Sequence, residues 1–269
     1  MSQGVSLGPL SLPFGVLLLV VSAILALLLA RRIAGNARAQ VEGLLYRGLL
    51  LGLFASRLAF VVQYFDAYSR HPLTMLDIRD GGWQPWAGLV AVWVYVMWLA
   101  WRAKPLRKAM LAGVMTFTVV WLAGTLLVGV ERQQVRTLPA FSASLMGGGQ
   151  VALQSYAGKP TVINLWASWC PPCRREMPVF EQVQKERPEI NIVMLNQGES
   201  AEQVQQFLQA NKLDLREVLL DAGGDVAKRF EQRGLPATLF FDANGRLMDM
   251  RLGELSYATL THRINALTP

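Results

Sequence analysis

Trp166-Ala167-Ser168-Trp169-Cys170-Pro171-Pro172-Cys173-Arg174-Arg175-Glu176-Met177-Pro178 places two cysteines around a pair of prolines. Upstream, residues 161–167 read as a buried strand; downstream, a helix reads from about 173 to 187. A thiol at a helix N-terminus faces unpaired N–H groups and the positive end of the dipole, so its thiolate is favoured. In such places thiol pKa values fall to roughly 3.5–7.5. Cys170 reads as the exposed member that attacks or is attacked. Cys173, one turn inside the helix, reads as the one that resolves a mixed disulfide. A spacing of two residues lets both sulfurs close a disulfide with little movement. Other uses of the pair fit poorly. Zinc needs further ligands, yet the chain has no other cysteine and only His71 and His262. A c-type haem site needs His where Arg174 stands. The expectation is a redox dithiol with no metal and no cofactor.

From residue 138 onward the texture around this pair is that of an α/β domain. Residues 190–196, 217–221, 237–241 and 246–252 read as strands, and 201–211 as an amphipathic helix. Asp242-Ala243-Asn244-Gly245 supplies a hairpin turn, and Ser256 caps a final helix through 266. Strands alternating with helices, then a hairpin and a helix, fit one central mixed sheet.

The first half is different. Over the 269 residues, 52% are hydrophobic and only 17% charged, below the roughly 25% of ordinary soluble domains. Residues 12–30 carry no charge and end at Arg31-Arg32, a length that spans a bilayer as a helix. The start lacks a positive region and a cleavage site, so this reads as a retained span rather than a signal peptide. Further spans read at about 48–65, 85–101 and 109–130, which makes an all-α bundle of four transmembrane helices. Tyr64, Trp83, Trp86, Trp98 and Trp101 fall near span ends, as interfacial aromatics do. Of the 26 Lys/Arg, eight lie in 31–47 and 102–108, against Arg70 and Arg79 in the loop between. That bias puts the first two segments in the cytoplasm and both termini outside.

The net charge of +7 sits in this half: residues 1–130 hold 11 Lys/Arg and 4 Asp/Glu, whereas the rest is neutral. The basic excess therefore reports membrane orientation, and nucleic acid is not an expected partner. The domains are then 1–130 in the membrane, 131–137 as linker and 138–269 outside. Eight residues from Glu131 to Leu138 reach about 26–29 Å at full extension, which keeps the second domain near the membrane.

The second half resembles the membrane-anchored thioredoxin-like thiol–disulfide oxidoreductases of TlpA and ResA type. The resemblance rests on Gly158-Lys159-Pro160, the strand through Asn164, the Trp-Cys-Pro-Pro-Cys-Arg run, Glu176, Pro178 and Gly234-Leu235-Pro236-Ala237-Thr238. It implies an α/β thioredoxin-like domain in which Pro236 is a cis-proline facing the cysteines and Leu235 offers backbone to a substrate strand. It also implies that Glu176 tunes thiol ionisation; a solvated first-turn Glu answering the helix dipole is the alternative reading. Asn164 stands where ordinary thioredoxin has a buried acid. Trp169 would shield Cys170, and Trp166 reads as core.

Residues of about 15–113 resemble the N-terminal part of prolipoprotein diacylglyceryl transferase. The shared stretches are Ala30-Arg31-Arg32, Val41-Glu42-Gly43-Leu44-Leu45-Tyr46, Ser56-Arg57-Leu58-Ala59-Phe60-Val61, Pro72-Leu73, Asp80-Gly81-Gly82 and Ala87-Gly88-Leu89. Trp86 takes the place of that family's essential His, and its later spans are absent, so a module that anchors, docks a partner or binds membrane lipid is expected. Arg57, mid-span, is a functional candidate or a charge paired inside the bundle. The four spans hold no cysteine, so a reductase here needs a separate membrane electron donor, most simply of DsbD or CcdA type. The expected function is reduction of disulfides in extracytoplasmic proteins at the inner membrane, cytochrome c maturation clients included. Thiol oxidation at the same site, or an accessory or lipid-binding role in lipoprotein maturation, are the alternatives.

Overall fold

The structure, a computed structural model, describes residues 4–7, 10–69, 72–131 and 137–267. The chain forms two compact units: Phe14–Arg70 with Gly82–Gln134, and Met1–Pro13 with His71–Gly81 and Val135–Pro269. The expected linker, 131–137, lies mostly outside the described residues.

In the second of these units, Gly4–Leu7 (β1) pairs antiparallel with Leu10–Pro13 (β2). The first helix of the helical unit therefore begins at Phe14 rather than at residue 12.

The helical unit contains α1 (Phe14–Ala34), α2 (Arg38–Gln63), the short α3 (Phe65–Ser69), α4 (Pro85–Arg102) and α5 (Arg107–Glu131). Uncharged Leu, Val and Ala runs make the long helices. Pro85 opens α4, where a missing N–H costs nothing, and Arg31, Arg32 and Arg102 sit in last turns, where the dipole favours cations. α1 packs along α5 and α2 along α4. The second contact depends on glycine: a Cβ on Gly88 would lie 2.7 Å from the Gly52 carbonyl oxygen. Small residues at such crossings let two backbones approach. Arg57 is buried and donates from Nη1 to the Gly82 carbonyl at 2.7 Å, with its guanidinium 5.2 Å from the Tyr68 ring centre. The charge is thus held inside the bundle, as the structural reading of it expects. Leu50, Phe54, Val62, Val94 and Leu126 face outward, an apolar surface that water does not favour. Two stretches, Phe14–Gln63 and Lys104–Leu127, are long and apolar enough to cross a membrane. The first holds both α1 and α2, joined at the 3-10 turn Gly35–Ala37.

The other unit is built on a seven-stranded mixed sheet. Its strands are β3 (Ser142–Leu145), β4 (Gln150–Ala152), β5 (Thr161–Trp166), β6 (Asn191–Gln197), β7 (Val218–Asp221), β8 (Ala237–Phe241) and β9 (Leu247–Leu252). They lie in the order β4-β3-β7-β6-β5-β8-β9, with β5, β6 and β7 parallel and the others antiparallel to their neighbours. The helices are α6 (Pro171–Glu186), α7 (Ala201–Ala210), α8 (Asp225–Arg229) and α9 (Tyr257–Asn265). β5 is buried along its whole length, as a central strand covered on both faces must be. On one face Val162, Trp166, Phe180, Val183, Leu260 and Ile264 pack together; on the other, Ile163, Leu165, Leu239, Phe241, Val226 and Phe230 do. Ser200 and Ser256 cap α7 and α9 in reciprocal boxes with Gln203 and Thr259. The segment His71–Gly81 belongs to this unit, where Ser256 Oγ donates to Asp80 at 3.0 Å.

Candidate active site

Cys170 is the N-cap of α6. Its sulfur accepts the Cys173 N–H at 3.3 Å, and its carbonyl accepts from Arg174 N at 3.1 Å. Pro171 follows at the first helical position, where its fixed φ suits the helix. The two cysteines form a disulfide with Cα atoms 5.3 Å apart. The expectation that Cys170 is exposed does not hold: it is 3% exposed, and Cys173 is fully buried. Its sulfur turns inward, onto Cys173 and the first turn of the helix, instead of outward to solvent. Beside the pair, Trp169 is exposed, at 67%. Trp166, by contrast, is core, with its ring 5.6 Å from that of Phe207.

Glu176 lies on α6 three residues after Cys173, a spacing that puts both on one helix face. It is 1% exposed, which removes the solvated reading. Oε1 accepts from Asn164 Nδ2 at 2.8 Å and Oε2 from the Leu255 N–H at 3.0 Å. Burial pushes its carboxyl up to about 8; the Asn164 and Leu255 hydrogen bonds pull the other way, Glu254 adds to the rise and Arg175 opposes it. Arg175 and Glu254 form a two-toothed ion pair at 2.6–3.2 Å above this acid. A carboxyl protonated more readily in the folded chain than in the unfolded one favours folding below about pH 4.5. That contribution is lost as pH rises through about 8. Glu176→Gln is therefore expected to flatten the fall in stability between those limits and to leave the variant the more stable above pH 8. Unfolding of the full chain in detergent across pH 4–9 checks this; parallel pH curves for the two proteins would contradict it.

The Leu235–Pro236 peptide is cis. The Pro236 carbonyl accepts from Gly253 N at 2.9 Å, and Ala237 and Thr238 begin β8 against β5. Leu235 is partly buried and packs with both clusters of the core. Pro178 lies inside α6.

Sequence reading overlooked Glu199. This buried carboxylate accepts from Ser168 N at 2.7 Å, from Ser168 Oγ, and from Asn196 Nδ2 at 2.7 Å. It ties the loop carrying Trp169 and Cys170 to the end of β6. The available signal was its place just past a parallel strand, at the edge where α/β sheets gather functional groups. Among the described residues no group of three His, Cys, Asp or Glu could hold a metal.

An N-capping CxxC disulfide between a central strand and its helix, with a buried acid one turn further along that helix, is an arrangement suited to dithiol exchange on a mixed α/β sheet. Residues 135–250 match the AhpC/TSA family and residues 4–129 the prolipoprotein diacylglyceryl transferase family. The chain is 30% identical over 171 residues to the thioredoxin-like protein YneN of Bacillus subtilis, covering 59% of this chain and 98% of that one. It is 27% identical to the thiol–disulfide oxidoreductase ResA of Bacillus thuringiensis, over 52% of this chain and 82% of that one. A structure of MTB dsbF in its mixed oxidized and reduced forms shares 35% identity, at a TM-score of 0.45, over 49% of this chain and all of that one. The chain belongs to the thioredoxin-like thiol–disulfide oxidoreductases of ResA/TlpA type and carries, ahead of that domain, a diacylglyceryl-transferase-like helical module. It is an enzyme of thiol–disulfide exchange, and its apolar stretches with the transferase-like module point to membrane association.

Proposed function

We propose that this protein is a multi-pass inner-membrane reductase of protein disulfides. Its four long helices would span the bilayer, and its sheet unit would work on the periplasmic side with both termini. The observation that carries the reading is the Cys170–Cys173 disulfide at the head of α6 beside buried Glu176, in a chain with membrane-length apolar helices. In the reduced protein the Cys170 thiolate attacks a substrate disulfide; one substrate sulfur leaves as thiolate, and Cys170 is bonded to the other. Cys173 loses its proton to the Glu176 carboxylate and attacks Cys170. The second substrate thiolate is released and the Cys170–Cys173 bond is restored. Trp169, Leu235 and Pro236 would receive the substrate backbone. Each turnover leaves the pair oxidised by two electrons, so a membrane dithiol donor of DsbD or CcdA type must reduce it again. The transferase-like module would contribute lipid contact, and proteins with extracytoplasmic disulfides, cytochrome c precursors among them, would be the clients.

The side of the membrane is tested with a membrane-impermeant maleimide on intact spheroplasts after mild reduction. Labelling of Cys170 and Cys173 without lysis is expected. Labelling only after lysis would overturn the topology.

A further inference from the structure

Asn164, at the centre of β5, is fully buried and spends both N–H groups of its amide on two neighbours. One goes to Glu176 Oε1 at 2.8 Å, the other to Thr238 Oγ1 at 3.1 Å. Asn164 and Thr238 are register partners across β5 and β8, and Thr238 lies two residues after Pro236. Asn164 Oδ1 has no hydrogen-bond partner among the described residues. A buried polar atom left unpaired is costly, so packing alone favours an apolar side chain here. The amide is oriented toward the acid instead. Both oxygens of Glu176 thereby meet N–H donors, the second being Leu255 N at 3.0 Å. Donors on both oxygens favour the carboxylate over the acid, against the pull of burial.

We propose that Asn164 is the positioning residue of Glu176: it keeps the buried acid able to ionise beside Cys173 and couples that acid to the strand that follows Pro236. The inference rests on the dithiol-exchange reading of Cys170 and Cys173. The charged and titratable groups around Glu176 are Glu254 on the β9–α9 connection, and Arg175 and Cys173 on its own helix; β5 and β8 present only the neutral Asn164 and Thr238. Without the amide donor the carboxylate loses its side-chain hydrogen bond while staying buried. Glu176 then holds its proton to higher pH, and the deprotonation of Cys173 that depends on it moves with it.

The test uses the full chain in detergent micelles, labelled with 13C at Glu side-chain carboxyls and assigned by the Glu176→Gln variant. Asn164→Leu is expected to raise the Glu176 titration midpoint by about one unit, a tenfold change in proton affinity. The acidic limb of the pH profile of kcat for disulfide reduction, set by the deprotonation of this base, should move to higher pH with it, with KM little changed. Asn164→Asp, the near-isosteric variant, guards against a packing effect: a second carboxyl against Glu176 should raise its midpoint further still. A Glu176 midpoint unchanged in both variants would overturn the proposal, as would a change in KM alone. The carboxyl titration is read without turnover, so a chain that proved inactive toward disulfides would undo the functional reading and still report on Asn164.

Discussion

Cys170→Ser is expected to lower disulfide reduction by the full-length protein at least about a thousandfold, a small part of the acceleration that enzymes in general reach. A serine hydroxyl at the head of α6 cannot form the mixed disulfide, and Cys173 is buried behind that position. Cys173→Ser is expected to act differently. Cys170 can still attack, but nothing releases it, so mixed disulfides with substrate proteins should accumulate as bands that disappear on adding a reductant. Non-reducing electrophoresis after acid quenching separates the two cases. Equal accumulation in both variants, or in neither, would contradict the assigned order of attack.

Phe180→Ala should produce the largest loss of stability in the sheet unit. Phe180 lies on α6 and is fully buried among Val162, Met177 and Val183, between the helix that carries both cysteines and the sheet. Truncating a buried Phe costs about 3–5 kcal/mol through lost transfer energy and the cavity left behind. Whole domains are stable by only about 5–15 kcal/mol, so the variant should unfold at clearly lower denaturant or temperature. Proteolysis of the full chain in detergent, with the 137–267 fragments followed over a temperature series, measures it. A variant as resistant as the parent would mean that α6 is not held by this contact.

The redox half was legible because its signals are local. Thr161–Trp166, Ala237–Phe241 and the cap at Ser256 stand where apolar runs and a capping residue put them. β3 and β4 were not read: they are four and three residues long, largely exposed, and paired through a turn at Gly148 and Gly149, where φ is positive. α8 is five residues and begins at Gly224 instead of at a capping side chain. Such elements take their structure from the sheet edge they lie against, and no periodicity develops over so few residues. At the site, the cysteines and Glu176 were visible, but the burial of Cys170 was not, since it depends on which way one sulfur turns. Asn164 was noticed only for the acid it replaces, and Glu199 not at all. Their partners, Thr238 and Ser168, are 74 and 31 residues away in sequence.

The most direct test of the central claim is the resting redox state of Cys170 and Cys173 in intact cells. Acid quenching followed by alkylation with a mass-shifting maleimide reports it, with the Cys170→Ser variant marking the single-thiol position. A protein that reduces disulfides and is fed by a membrane donor should be mostly dithiol, and should become oxidised when that donor is removed. A pair found mostly disulfide-bonded in growing cells would contradict the reductase reading and would assign the same site to oxidation.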